Sequence, residues 1–250
     1  QKLIQNGQWN NTLIVFSSDN GGEVRLTETA ANNYPLRGGK FVPFEGGIRV
    51  NAFVSGGYLP NDRVGQIENG MIHGCDWYAT FCEIAGINPI DIRAKNAGLP
   101  GIDSLSMWDL ISGINNTSPR TSIYVDNNTL IDNGYKLIIG TQLQYASWSG
   151  PIYPNSSSNG SIYTTILDCT HGCLFNIMDD PTEHNNIFNE SINIANDMIS
   201  KLNTEKESFY TNNEHGTPIC PDTTNDCSCW AALNVYHGYW GPYQTLNNSE

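Results

Sequence analysis

The sequence predicts an α/β core followed by a small antiparallel α+β subdomain, and three observations carry that prediction. Residues 12–17 (TLIVFS) form a short unbroken apolar run rich in β-branched and aromatic side chains, the pattern of a strand buried on both faces of a parallel sheet. Residues 76–85 place Trp77, Phe81, Ile84 and Ala85 on one helical face, as an amphipathic helix requires. Beyond residue 120, three short strand candidates separated by Asn/Gly/Ser turns precede one helix, the order of an α+β unit.

Taken in order, the first strand stops at Ser18-Asp19-Asn20-Gly21-Gly22, a strong breaker. Residues 23–47 read as loop, because Pro35, Gly38, Gly39, Pro43, Gly46 and Gly47 deny long regular elements. Residues 48–55 (IRVNAFVS) are the second strand candidate, closed by Gly56, Gly57 and Pro60. In the helix at 76–85, Asp76 is placed to cap the start and Gly86 to end it. A shorter helix is expected within 102–111, and 115–120 reads as a linker. The later strands are expected at 122–125, 135–139 and 174–177, with a polar loop at 156–160 and the helix at 192–209. The tail is rich in Cys, Trp and Gly and has little periodicity. The expected domains are therefore 1–115, 120–215 and 216–250.

Composition narrows the function classes. Twelve Lys+Arg against 25 Asp+Glu give a formal charge of −13, a field that repels nucleic-acid backbones and anionic lipid. With 39% hydrophobic and 15% charged residues the chain is not a disordered acidic tail. No apolar run approaches the roughly 20 residues of a bilayer span. The chain starts Gln1-Lys2-Leu3, with neither Met nor a leader pattern, so the expectation is a processed chain or a piece of a longer one. Eight Asn-x-Ser/Thr sequons begin at Asn10, Asn115, Asn116, Asn127, Asn155, Asn159, Asn189 and Asn247. Together with seven cysteines they point to the secretory pathway, lysosomal or extracellular. The odd count leaves one thiol unpaired within the chain.

Two clusters of residue types can carry chemistry. Asp19 and Asn20 stand at the carboxyl end of the first strand, where α/β sheets place ligand groups. Their oxygens are hard donors suited to Ca²⁺ or Mg²⁺. Asn20-Gly21 is equally a favoured hairpin turn, so the pair alone leaves both readings open. The second cluster is Arg37, Lys40 and Arg49, three cations among glycines in an otherwise acidic chain. Lys40 is the candidate anion grip. Arg37 and Arg49 are expected to satisfy local carboxylates, with Glu45–Arg49 as a buried pair.

Several motifs in register resemble one family. They are Ser18-Asp19-Asn20-Gly21-Gly22, Pro35-Leu36-Arg37-Gly38-Gly39-Lys40 and Glu45-Gly46-Gly47-Ile48-Arg49, followed by Ile72-His73-Gly74-Cys75-Asp76-Trp77 and Gly101-Ile102-Asp103. Leu174-Phe175-Asn176, Asp180-Pro181-Thr182-Glu183 and Tyr239-Trp240-Gly241-Pro242 continue the series. This order resembles the second half of type I sulfatases, closest to the arylsulfatase B (N-acetylgalactosamine 4-sulfatase) branch and its arylsulfatase I/J relatives. The resemblance implies an alkaline-phosphatase-like α/β fold with part of its central sheet plus a small C-terminal subdomain. It implies a sulfuric ester hydrolase acting on a sulfate ester, with sulfated glycans among the candidate substrates. Asp19 and Asn20 would be Ca²⁺ ligands, Ca²⁺ being preferred to Mg²⁺, and Lys40 would contact the sulfate.

Under the same resemblance His73 and Trp77 are structural. Cys169, Cys173, Cys220, Cys227 and Cys229 are disulfide partners rather than zinc ligands, with the pairing open. The family's nucleophile is a formylglycine made from Cys or Ser in a C/S-x-P-x-R motif. No Cys or Ser here is followed by x-Pro-x-Arg; Asn33-Tyr34-Pro35-Leu36-Arg37 has the spacing, but Asn cannot become an aldehyde. The expectation is that nucleophile and remaining ligands lie upstream of Gln1 and that these residues alone are inactive. Two rivals stand beside this reading: a phosphodiesterase or phosphonate hydrolase of the same superfamily, and a non-catalytic secreted glycoprotein that retains the fold.

Overall fold

The computed structural model describes residues 1–24, 31–142, 146–148, 166–208, 217–221 and 226–245. The chain divides into two units, Gln1–Lys206 and Glu207–Glu250. In the first unit, a single turn α1 (Lys2–Gln5) precedes β1 (Ile14–Ser17), which pairs antiparallel with β2 (Ala52–Ser55), Ile14 opposite Ser55 and Ser17 opposite Ala52. This corrects the expected parallel strand buried on both faces. Phe16 and Phe53 stack at 5.1 Å while remaining 50% and 55% exposed. An apolar β-branched run specifies an extended backbone, whereas burial needs further layers, and among the described residues this sheet has two strands. The second strand also starts later than expected. Glu45–Ile48 coils into a one-turn helix α2 whose Gly46 and Gly47 are buried.

Helix α3 (Asp76–Ile84) stops as predicted. Gly86 takes φ 67°, its N–H donates to the Glu83 carbonyl at 2.9 Å, and the Ile87 N–H donates to Cys82 at 2.8 Å, the reciprocal pair of a Schellman stop. The start differs, because Cys75 occupies the cap position and the Asp76 carboxylate turns away to other partners. The buried face differs too: it is Asp76, Ala79 and Thr80. Phe81 is 48% exposed and stacks on Trp77 at 5.7 Å. Small residues on the inner face let the next helix approach, and Thr80 Oγ1 accepts the Met107 N–H at 2.9 Å. Trp77 flanks rather than fills the core of Leu59, Met107, Leu110 and Ile111.

Helix α4 (Ile92–Asn96) was not predicted; Asp91 caps it by accepting the Arg93 and Ala94 N–H groups. Helix α5 (Trp108–Ser112) begins later than the sequence suggests and ends at Gly113, φ 82°.

The larger sheet is antiparallel in the order β3 (Ser122–Asp126), β4 (Thr129–Asp132), β5 (Tyr135–Gln142), β6 (Leu167–Asn176). Strand β4 was not anticipated, although all four of its residues are buried. Period-2 alternation splits the sheet into two functional faces. Leu130, Leu137 and Leu174 pack on Ala195, Met198 and Leu202 of α6 (Ile192–Lys206). On the other face Ile138, Cys169, Cys173 and Phe175 pack on Phe44 and Ala146. That second face seats the glycine-rich segment of residues 37–47. The expected polar loop at 156–160 lies outside the described residues.

The second unit pairs β7 (Thr217–Pro218) with β8 (Gln244–Thr245) and carries α7 (Cys227–Asn234), capped by Asp226. The disulfides are Cys169–Cys173 and Cys220–Cys227. Cys75, Cys82 and Cys229 are free, so the expected disulfide role of Cys229 is corrected and three thiols rather than one remain unpaired. Among the described sequons, Asn10, Asn115, Asn116, Asn127 and Asn189 are all exposed.

Candidate active site on a glycine-packed loop

Three backbone segments converge at the carboxyl end of β1. The Gly21 N–H donates to the Gly47 carbonyl at 2.7 Å, the Gly46 N–H to Arg37 at 2.7 Å, and the Lys40 N–H to Gly22 at 3.0 Å. The glycines are required by proximity. A Cβ on Gly21 would lie 1.7 Å from the Gly46 oxygen, and one on Gly46 would lie 2.4 Å from the Arg37 oxygen. Asn33 locks the same junction, accepting from the Gly22 N–H and donating to the Gly22 and Gly38 carbonyls at 2.8, 2.8 and 3.1 Å. The residue that stands at the aldehyde-forming position of the incomplete x-Pro-x-Arg spacing is thus a backbone clamp.

This packing brings the turn holding Asp19 and Asn20 next to the Lys40 backbone. Asp19 is exposed; Asn20 and Lys40 are half-buried. Asp19 Oδ1 accepts the Asn20 N–H at 2.9 Å, and the Asn20 amide nitrogen donates to Gly21 at 2.8 Å. One Asp19 carboxylate oxygen and the Asn20 amide oxygen are left without a protein donor among the described residues. Both are hard donors of the type Ca²⁺ takes. No cluster of three or more His, Cys, Asp or Glu is assembled among the described residues, so these two oxygens fit such an ion in kind and would supply only part of its shell. Lys40 makes no ion pair among the described residues, and its ammonium lies 5.3 Å from the Phe41 ring centroid.

A model of the sulfatase family matches residues 1–87. Arylsulfatase J of Mus musculus is 28% identical over 237 residues, an alignment covering 80% of this chain. The chain resembles the sulfatases. It spans 36% of the length of that relative. Among solved structures, the PsFucS1 sulfatase from Pseudoalteromonas sp. superimposes with a TM-score of 0.58 at 24% identity, covering 84% of this chain and 40% of that one. Ps i-CgsB in complex with k-i-k-neocarrahexaose gives 0.55 at 25% identity, covering 83% and 38%. The fold is the mixed α/β fold of the sulfatases, as expected from the sequence.

Beneath the glycine-packed loop lies a buried charge network. Lys136, from β5, is completely buried and bridges Glu45 Oε1 at 2.7 Å and Glu183 Oε1 at 2.8 Å. The second Glu183 oxygen accepts the Glu45 N–H at 2.7 Å. The Glu183 backbone carbonyl accepts from Arg37 Nη1 at 2.9 Å, and Arg37 Nε donates to the Ala146 carbonyl at 2.7 Å. Burial pushes Glu183 above the ordinary carboxylate range, against the lowering pull of Lys136 and the Glu45 N–H. Burial likewise lowers Arg37, against the raising pull of Glu183 and Asp180.

Two expectations are corrected by this network. Arg37 is satisfied by two backbone carbonyls and the rings of Phe44 and Trp148, not by a local side-chain carboxylate. The Glu45–Arg49 contact is long, 3.7 Å, with Arg49 half-exposed, so the buried partner of Glu45 is Lys136. Lys136 did leave a trace in the sequence: it is a lone cation two residues before Ile138 in an apolar strand, on the inward-facing register.

His73 lies outside the loop. Its backbone N–H donates to Asp76 Oδ2 at 2.8 Å, and its ring Nδ1 sits 3.0 Å from Cys75 Sγ. Asp76 is fully buried and bound by Arg120 through two contacts, Nη2 to Oδ1 at 2.5 Å and Nε to Oδ2 at 2.7 Å. Burial alone would raise Asp76, but Arg120 and the N–H groups of Leu105 and His73 outweigh it and hold the carboxyl below its usual range.

Proposed function

We propose that this chain is the sulfate-holding part of a sulfuric ester hydrolase whose substrates are sulfate esters, sulfated glycans among them. The observation that carries the reading is the lysine ammonium of Lys40, without an ion-pair partner among the described residues, on a loop bonded to the Asp19–Asn20 turn. A lysine ammonium is a compact point charge with three donors. In S–O cleavage negative charge grows on the sulfate and leaving oxygens, and a fixed cation there stabilises the transition state more than the ground state.

Asp19 and Asn20 would hold Ca²⁺, which when bound supplies a further positive charge to the sulfate oxygens. The fit rests on their two hard oxygens that have no protein donor among the described residues. The formylglycine implied by the family has no place among these residues, since no Cys or Ser is followed by x-Pro-x-Arg. The role of this chain is therefore to bind and orient the sulfate. Replacing Asp19 by alanine in the intact protein is expected to lower bound calcium measurably by elemental analysis, and full occupancy would remove Asp19 from the ligand set.

The glycan reading draws on i-CgsB, whose structure holds a neocarrahexaose. A net charge of −13 opposes a polyanionic sugar, which places recognition on local cations such as Lys40. Two disulfides and exposed sequon asparagines support passage through an oxidising secretory compartment. No helix among the described residues is long and apolar enough to cross a membrane. The deciding experiment gives the intact protein matched aryl sulfate and aryl phosphate esters. Faster turnover of the sulfate is expected; preference for the phosphate would establish the phosphodiesterase reading, and turnover of neither would establish the non-catalytic one.

A further inference from the structure

Arg37, Glu45, Lys136 and Glu183 are buried together, and the chemistry proposed above uses none of them. Removing four charges from water contributes little net stability, because desolvation cancels most of the attraction. What such a cluster does well is forbid alternatives, since moving one member strands the others unpaired.

The segment it restrains is the one that carries Lys40. Arg37 at one end donates to the Glu183 carbonyl, and Glu45 at the other end donates its N–H to the Glu183 carboxylate. Lys136 closes the circuit by binding both carboxylates from the sheet. Glu183 is itself held in the left-handed region, φ 56°, and is completely buried. Between the two ends, residues 38–44 contain no helix or strand, Gly38 takes φ 70° and Phe41 takes φ 81°. Local backbone preference therefore does not set the course of this segment; the Gly46–Arg37 and Lys40–Gly22 backbone bonds and the charge network at its two ends do.

Resting on the sulfate-holding role of Lys40, the geometry points to Lys136 and Glu183 as positioning residues. Glu183 binds both ends of the 37–47 segment, Lys136 ties Glu183 and Glu45 to the four-stranded sheet, and together they set where the Lys40 ammonium stands. The four-stranded sheet thereby tunes the position of the Lys40 ammonium.

The test is a double-mutant cycle on kcat/KM for an aryl sulfate in the intact protein, assayed well below each variant's melting midpoint. Lys136→Met, which keeps the stem and removes the charge, is expected to lower kcat/KM about tenfold or more in the native background. In the Lys40→Ala background it is expected to change kcat/KM by less than about threefold, because a residue acting through Lys40 has nothing left to position. If Lys136→Met does not fold, Glu183→Gln, which preserves shape and an acceptor for the Glu45 N–H, carries the same cycle. An unchanged kcat/KM, or losses that multiply in the double variant, would overturn the positioning role while leaving Lys40 in the site. Unchanged kinetics for Lys40→Ala alone would overturn the sulfate-holding reading itself.

Discussion

Lys40→Ala in the intact protein is expected to lower kcat/KM for a sulfate ester by roughly 10²- to 10³-fold, ~2.7–4 kcal/mol, the range found when one preorganised donor to developing charge is removed. The loss should fall on kcat as well as on KM, since the charge met by the ammonium is larger in the transition state than in the bound ester. Lys40 is half-buried, its backbone is bonded to Gly22, and no carboxylate among the described residues neutralises it. The fold of the loop does not depend on its side chain, so the variant should melt with the native protein. Kinetics indistinguishable from native would exclude Lys40 from the site.

The second large effect is on stability. Arg120→Met leaves the fully buried Asp76 carboxylate without its cation, a change of the kind that costs about 3–5 kcal/mol. The Leu105 and His73 N–H groups remain as donors, which places the loss nearer the lower figure. The same pair predicts a pH dependence. Asp76 titrates below its unfolded value, so its stabilisation is complete above an unfolded pKa of about 3.9 and disappears as pH falls through the lower folded value. Denaturant midpoints of the native protein should drop across that acidic window. Those of Arg120→Met should start lower and fall less, because the carboxyl is no longer held down. Equal midpoints at neutral pH would show that the pair contributes nothing.

How much of this was legible beforehand can be judged from individual residues. The stop of α3 at Gly86 was readable because a left-handed turn favours glycine wherever it occurs. The apolar stripe Trp77, Phe81, Ile84 was readable as helical, but not that Phe81 stays exposed while Trp77 and Ile84 are half-buried, since periodicity fixes a face and not its neighbours. Strand β4 escaped notice because its four residues, Thr-Leu-Ile-Asp, are too short to show alternation. The pairing of Lys136 with Glu45 joins residues 91 positions apart, and nothing local in either segment announces the other.

By itself, the sequence determined the local chemistry of this chain: glycines where backbones must touch, a hard-oxygen pair after the first strand, one lysine among them, and the order of motifs that resembles the sulfatases. Tertiary structure alone decided which charges are partners, which apolar faces are covered, and that both ends of the loop bearing Lys40 are bonded to Glu183, itself paired with Lys136 of the sheet. Local propensity acts within a few residues, whereas ion pairing and burial depend on distance through space, which only the folded chain specifies.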